Sequence, residues 1–333
     1  MQNRVLCTIS SVPKLEQDCI MIDLHPEIAL FFRKMTGLNP PMEERAAQDV
    51  RALMDGFAMS GMEPRPDDIE VEDHIGDFSG RKIRLRLYRP KGTDGKLPVM
   101  LYFHGGGWVI GNIDTHDRYV CCLSRDSGVA YLAVDYRLAP EHPYPACIDD
   151  AYDSLLWVHA HADDLGLDKS RIGVSGDSAG GQLAAACTFL ARDRNGPALS
   201  FQLLIYPLTD CDFTRPSYHT WGDDLLLTTP YMKWLWRQWC GDDLPVHDPL
   251  AVPLRQKNLS NLPPAYTVTC EFDILRDEGE LYALRLMDAR IPSTLRRVPR
   301  VTHPFFRAMS ISPYIRSEMR EMGYQIRRHL VSI

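Results

Sequence analysis

Apolar positions fall at helical spacing near the start of the chain and at strand spacing soon afterwards. Ile28, Phe31, Phe32 and Met35 stand at i, i+3, i+4 and i+7, and Ala46, Val50, Leu53, Met54 and Phe57 keep much the same rhythm. The first sixty residues therefore read as amphipathic helices. Pro64-Arg65-Pro66 breaks the pattern. Beyond it, residues 69–77 and 82–88 alternate or carry β-formers around Ser79-Gly80, the mark of a hairpin. From Pro98 the rhythm becomes strand, loop, helix. Short apolar strands are expected at 99–103, 129–134, 171–174, 201–205 and 266–268, with helices at 148–162, 179–193 and 278–290. Short apolar strands alternating with helices imply a parallel sheet covered on both faces, an α/β fold. Between Pro207 and Leu262 no strand is evident. This interval holds Trp221, Trp234, Trp236 and Trp239, and a helix that Thr229-Pro230 opens and Gly241 closes. It reads as an insertion that folds with the N-terminal helices into a lid.

Bulk composition narrows the function classes. The 333 residues are 45% apolar and 24% charged, an ordinary globular balance, and length alone would suggest two domains. A net charge of −7 gives no reason to expect nucleic acid or an anionic membrane as partner. Arg296, Arg297 and Arg300 make the one small basic cluster, read as a solvated strand edge. No stretch approaches the roughly 18 apolar residues of a membrane span, and residues 1–19 lack the apolar run of a secretory signal. The nine cysteines are odd in number, contain no C-x-x-C, and include the adjacent pair Cys121 and Cys122. They read as reduced thiols of a cytoplasmic protein. Eleven histidines show no H-E-x-x-H and no Cys/His cluster, so neither metal nor cofactor is expected. His159 and His161, two apart on a helix, point to different faces and read as surface residues.

Chemistry concentrates in two motifs. Gly176-Asp177-Ser178-Ala179-Gly180-Gly181 matches G-x-S-x-G between an expected strand and an alanine-rich helix. A serine on that sharp turn projects its oxygen above the sheet, and glycines on either side let strand and helix approach. The second motif, His104-Gly105-Gly106-Gly107-Trp108, lies 74 residues upstream of Ser178 and follows the strand 99–103. Consecutive glycine N–H groups there can reach a developing oxyanion, and Ala179 after the serine offers a further N–H. A phosphate loop would need a G-K-[ST] ending or G-x-G-x-x-G spacing, and neither is present. His104 reads as a pin for the loop. A serine also needs a base, and the base an orienting acid. His303 follows the strand 294–298, and Asp273 follows the strand ending near Thr269; Glu271, Asp277 and Glu278 remain rival acids. His329, on the terminal helix, reads as a surface residue.

These motifs, in this order, resemble the hormone-sensitive-lipase-like carboxylesterases. The resemblance runs from about Pro98 to Phe306 and includes Asp135-Tyr136-Arg137-Leu138-Ala139-Pro140-Glu141 and Glu271-Phe272-Asp273-Ile274-Leu275-Arg276-Asp277-Glu278. Residues 111–118, Gly-Asn-Ile-Asp-Thr-His-Asp-Arg, are similar to those of bacterial acetyl esterases. It implies an α/β-hydrolase fold, a mostly parallel eight-stranded sheet flanked by helices. Residues 1–60 and 208–260 would form a helical cap, and 61–207 and 261–333 the two parts of the core. It further implies Ser178 as nucleophile, Asp273 as acid, His303 as base, and Gly106, Gly107 and Ala179 as the oxyanion hole. The substrate pocket is expected at Trp108, Asp177, Tyr206 and Trp221. The expected activity is hydrolysis of short- to medium-chain acyl esters by a monomer or homodimer with a small-molecule ester as partner. Acyl transfer, amide hydrolysis and non-catalytic ligand binding are the alternatives on the same residues. Two positions depart from the family pattern: Ile274 stands where proline is common, and Pro304 where glycine usually follows the base. Proline at 304 removes an N–H and biases His303 toward extended backbone.

Overall fold

The structure, a computed structural model, describes residues 23–32, 38–60, 62–223 and 225–331. Met35, residues 1–22 and their expected helical pattern lie outside them. Two N-terminal helices, α1 (Pro26–Phe32) and α2 (Ala47–Met59), bury Ile28, Phe32, Val50 and Met54 from the expected apolar stripes. The hairpin follows as β1 (Ile69–Phe78) and β2 (Arg81–Pro90), turning at Ser79 and Gly80 with φ of 55° and 90°. Then come β3 (Leu97–Phe103), α3 (Asp117–Ser127), β4 (Ala130–Val134) and α4 (Ala146–His161). They lead to β5 (Leu167–Asp177), α5 (Ala179–Asp193) and β6 (Phe201–Ile205). After α6 (Pro216–Trp221) and α7 (Thr229–Cys240), the chain returns to the sheet with β7 (Ala265–Phe272), α8 (Arg276–Asp288), β8 (Ser293–Thr302) and α9 (Pro313–Leu330).

Eight strands form one sheet in the order β1-β2-β4-β3-β5-β6-β7-β8. β2 runs antiparallel to both β1 and β4, and every other pairing is parallel. Every residue of β3, β4 and β6 is buried, as strands covered on both faces must be. The parallel strands all present their C-terminal ends to one edge, so residues just after β3, β5, β7 and β8 converge there.

α3 was not legible as a helix, because Tyr119 to Leu123 is a continuous apolar run that fits a strand equally well. It is a helix buried on several sides, packed against α9. α7 begins where the proline signal put it: the Thr228 hydroxyl accepts the Tyr231 N–H at 3.2 Å as an N-cap. Trp234, Trp236 and Trp239 of α7 are buried, and Trp239 stacks on Trp108 of the loop after β3, ring centroids 3.8 Å apart.

The segment leaving β6 is fixed by buried carboxylates. Glu278 Oε1 accepts the Thr209 and Asp210 N–H groups at 2.7 and 3.0 Å, and the Tyr218 hydroxyl donates to Oε2 at 3.2 Å. Fully buried Asp210 pairs with Arg215 and Arg255. Burial, with Asp210 nearby, pushes the Glu278 carboxyl up from 4.5 to about 8.

Two predictions follow from this packing. A Cβ on Gly180 would collide with the carbonyl of Phe103, whereas one on Gly56, exposed in α2, would meet nothing within 4 Å. Gly180→Ala should cost about 3 kcal/mol or more through backbone displacement, and Gly56→Ala should add about 1 kcal/mol through helix propensity, both read by urea unfolding. Glu278 stays protonated in the fold up to about pH 8 but ionises near 4.5 when unfolded. Its contribution is therefore full below pH 4.5 and is lost as pH rises through 8. Unfolding titrations of Glu278→Gln should show a flatter pH dependence across that window than the parent.

Candidate active site

β5 ends at Asp177, and Ser178 turns the chain sharply into α5. Its backbone sits at φ 56°, ψ −121°, a left-handed conformation that a residue with a Cβ adopts only under constraint. The constraint is visible in its bonds. The Ser178 N–H donates to Ile205 O at 2.9 Å, and its carbonyl accepts from Gln182 N at 3.2 Å and Leu208 N at 3.1 Å. The close fit of Gly180 under the end of β3 brings the start of α5 against the loop carrying the three glycines.

That loop is held from below by Asp177. Its Oδ1 accepts the Gly105 N–H at 2.8 Å and the Tyr102 hydroxyl at 2.7 Å, and His116 Nε2 lies 3.8 Å away. Burial alone would raise this carboxyl, but His116 and the donated hydrogen bonds hold it below its usual value. His104 stacks on Tyr136 at 4.2 Å, its Nδ1 donates to Gly105 O at 2.9 Å, and Tyr136 donates to His104 O at 2.7 Å. Burial, with His116 beside it, holds His104 down at about 3, so the ring is neutral. Gly106 at φ 124° accepts from Val109 N and Ile110 N, folding the loop back on itself. Among the described residues, the N–H groups of Gly106, Gly107 and Ala179 donate no hydrogen bond within the protein.

Asp273 and His303 are brought together across 30 residues of sequence. His303 Nδ1 donates to Asp273 Oδ2 at 3.0 Å, and Asp273 Oδ1 accepts the Leu275 N–H at 3.0 Å. Both side chains are buried. The rival acids are engaged elsewhere: Glu271 accepts the Arg300 N–H, Asp277 accepts the Ser217 N–H, and Glu278 holds the segment after β6. Tyr206, strained at φ 34° and next to Ile205, packs edge-on against the His303 ring at 4.6 Å. Ser178 and His303 thus share the C-terminal edge of the sheet with Tyr206 beside them, and no hydrogen bond joins Ser178 Oγ to His303 among the described residues. The His303–Pro304 peptide is cis, and His303 lies in a turn, not in extended strand.

The four expected pocket residues all lie around the loop, the serine turn and His303 or Phe272. Trp108 is fully buried between Trp236 and Trp239, and its Nε1 donates to Gln182 at 2.9 Å, which anchors the loop. Asp177 faces the underside of the loop. Tyr206 lies against His303, and Trp221 packs on Phe272 at 5.0 Å with its Nε1 buried and unpartnered. Tyr102, His116 and Gln182 were not singled out from sequence. Each acts through a partner far away in the chain, and only the resemblance around residues 111–118 gave any signal for His116.

Comparison with known proteins identifies the fold and the family. Residues 100–307 match a family described as having the alpha/beta hydrolase fold. The chain is 40% identical over 268 residues to the carboxylic ester hydrolase LipN of Mycobacterium tuberculosis, covering 79% of this chain and 71% of that protein. It is 35% identical to an ethyl acetate hydrolase of Pseudomonas putida, over 87% of this chain and 94% of the relative. Among solved structures, a thermostable esterase from Pseudomonas putida superposes with a TM-score of 0.88 at 36% identity, covering 92% of this chain and 98% of that one. An esterase from the archaeon Pyrobaculum calidifontis gives 0.85 at 36% identity, with coverage of 92% and 98%. With its matched core and an eight-stranded, mostly parallel sheet, the chain belongs to the hormone-sensitive-lipase-like carboxylesterases of the α/β-hydrolase fold.

Proposed function

We propose that the chain hydrolyses short- to medium-chain acyl esters through an acyl-enzyme formed on Ser178. His303 takes the Ser178 proton as Oγ attacks the ester carbonyl, and Asp273 keeps the imidazole in the tautomer whose Nε2 accepts that proton. The N–H groups of Gly106, Gly107 and Ala179 receive the oxyanion of the tetrahedral intermediate. His303 then protonates the departing alkoxide, and water, deprotonated by the same imidazole, releases the acid and restores the serine. The observation that carries this reading is the 3.0 Å Asp273–His303 hydrogen bond beside a serine held at φ 56° after a central strand. A serine–histidine bond that closes only when an ester is seated is ordinary for such sites.

α1, α2 and the 208–260 segment are read as a cap over the serine. α7 lies against the turn Met42–Glu44, and Trp239 of α7 is stacked on the loop that carries the oxyanion-hole glycines. The preference for short acyl groups rests on this tryptophan-rich cap and is in keeping with the ethyl acetate hydrolase relative. A cytoplasmic setting fits the thiols: the seven cysteines among the described residues are all unpaired, and six of them are buried.

Two measurements test the reading. Hydrolysis of nitrophenyl esters from acetate to palmitate should be fastest between acetyl and hexanoyl, and a preference for long-chain emulsions would contradict the cap argument. Ser178→Ala should lose roughly 10³-fold or more in kcat, and Asp273→Asn roughly 10²- to 10⁴-fold, with both proteins folded. Unchanged turnover in Ser178→Ala would overturn the assignment.

A further inference from the structure

A cleft opens beside the site between α2, the start of α3 and the turn after His303. Its enclosed space is about 60 Å³, enough for a carboxylate group, and it opens to solvent. Phe57, Tyr119 and Met309 form apolar walls, and Arg118 and Arg307 bring two guanidinium groups into the same lining. Arg118 is largely buried, and its Nε and Nη1 have no hydrogen-bond partner. Its nearest carboxylate, Asp117, stands 3.7 Å from Nη2 but is already taken by bidentate Arg65, by Arg86 and by the Tyr88 hydroxyl. Arg307 makes no side-chain hydrogen bond or ion pair among the described residues, and Asp55, which feels its charge, does not pair with it. The one acidic residue in the lining, Glu63, is exposed.

Buried guanidinium donors without acceptors are costly unless an anion completes them, and the planar fork suits a carboxylate. Packed aromatic rings run from the cleft wall to His303. Tyr119 packs on Phe306 at 4.2 Å, Phe306 on Tyr206 at 5.5 Å, and Tyr206 on His303 at 4.6 Å. Arg307 lies four residues beyond His303 on the short turn Phe305–Ala308.

We infer that this cleft receives the carboxylate of an anionic ester, so that the substrate class includes esters carrying a second, free carboxyl group. The inference rests on the esterase reading above. Arg118 and Arg307 act here in binding only; the ester group itself is opened at Ser178. A neutral ester would leave the guanidinium donors unpaired and gain nothing from them.

The test compares matched esters: mono-4-nitrophenyl glutarate against 4-nitrophenyl valerate, and 4-acetoxybenzoate against phenyl acetate. The charge lies on the acyl side in the first pair and on the alcohol side in the second. In wild type at least one charged ester should exceed its neutral partner in kcat/KM, chiefly through a lower KM. In Arg307→Gln and in Arg118→Gln that ratio should fall at least tenfold, with Arg307→Lys recovering part of it. Ratios that stay within twofold in both glutamine variants would overturn the inference, and thermal melts confirm that each variant is folded. A separate arm follows phenylacetate binding by titration calorimetry in the Ser178→Ala background. Saturable binding lost on adding Arg307→Gln supports the site, and absence of binding counts against it. If no ester is turned over while phenylacetate binds in an arginine-dependent way, the esterase reading fails and the anion site stands. Phenylacetate that binds without competing with ester hydrolysis would place the cleft outside the substrate path and overturn its role as a subsite.

Discussion

The loop after β3 has no ladder of its own, and its shape depends on one buried carboxylate. Asp177 accepts the Gly105 N–H and the Tyr102 hydroxyl while sitting immediately before Ser178, so one residue ties the glycine loop to the serine turn. Two groups that the proposed mechanism brings to one carbonyl are thereby held by the same side chain. The tie works because the donors are fixed: Tyr102 is in a fully buried strand, and His104 is pinned by Tyr136 from both its ring and its carbonyl. Preorganised donors of this kind stabilise charge without having to reorient as it develops. Strain at Ser178 and Tyr206 is held by the same packing, which is where such backbone is expected to concentrate.

A second layer of order comes from the insertion. α7 does not rest loosely on the sheet; Trp236 and Trp239 close around Trp108, whose Nε1 bonds to Gln182 of α5. The loop, α5 and α7 are therefore coupled through one indole. Glu278 and Asp210 perform a comparable task on the other side, fixing where the chain leaves β6 before it enters the insertion.

Much of this was legible before any coordinates. The strand–helix rhythm gave the sheet because strands covered on both faces read as unbroken apolar runs, as β3, β4 and β6 do. The sharp turn at Ser178 was legible because it needs small residues at fixed offsets, and the loop after β3 because its run of glycines marks bare backbone. The choice of Asp273 over Glu271, Asp277 and Glu278 was not settled by the residues alone, since four carboxylates within eight positions differ only in which way each points. The partners of Asp177 and Trp108 were hidden for the same reason: sequence gives proximity to the motif but not the face. α3 was hidden by an apolar run too continuous to show a helical stripe, and the Arg118–Arg307 cleft by its assembly from segments nearly two hundred residues apart.

The most direct test of the account is covalent capture of the nucleophile. The folded protein would be treated with a small nitrophenyl alkylphosphonate and followed by intact-mass and peptide mass spectrometry. The account predicts a single adduct, on the peptide containing Ser178, forming far more slowly in His303→Ala. An adduct on another residue, or a folded protein that stays unlabelled while a known serine esterase reacts, would contradict it.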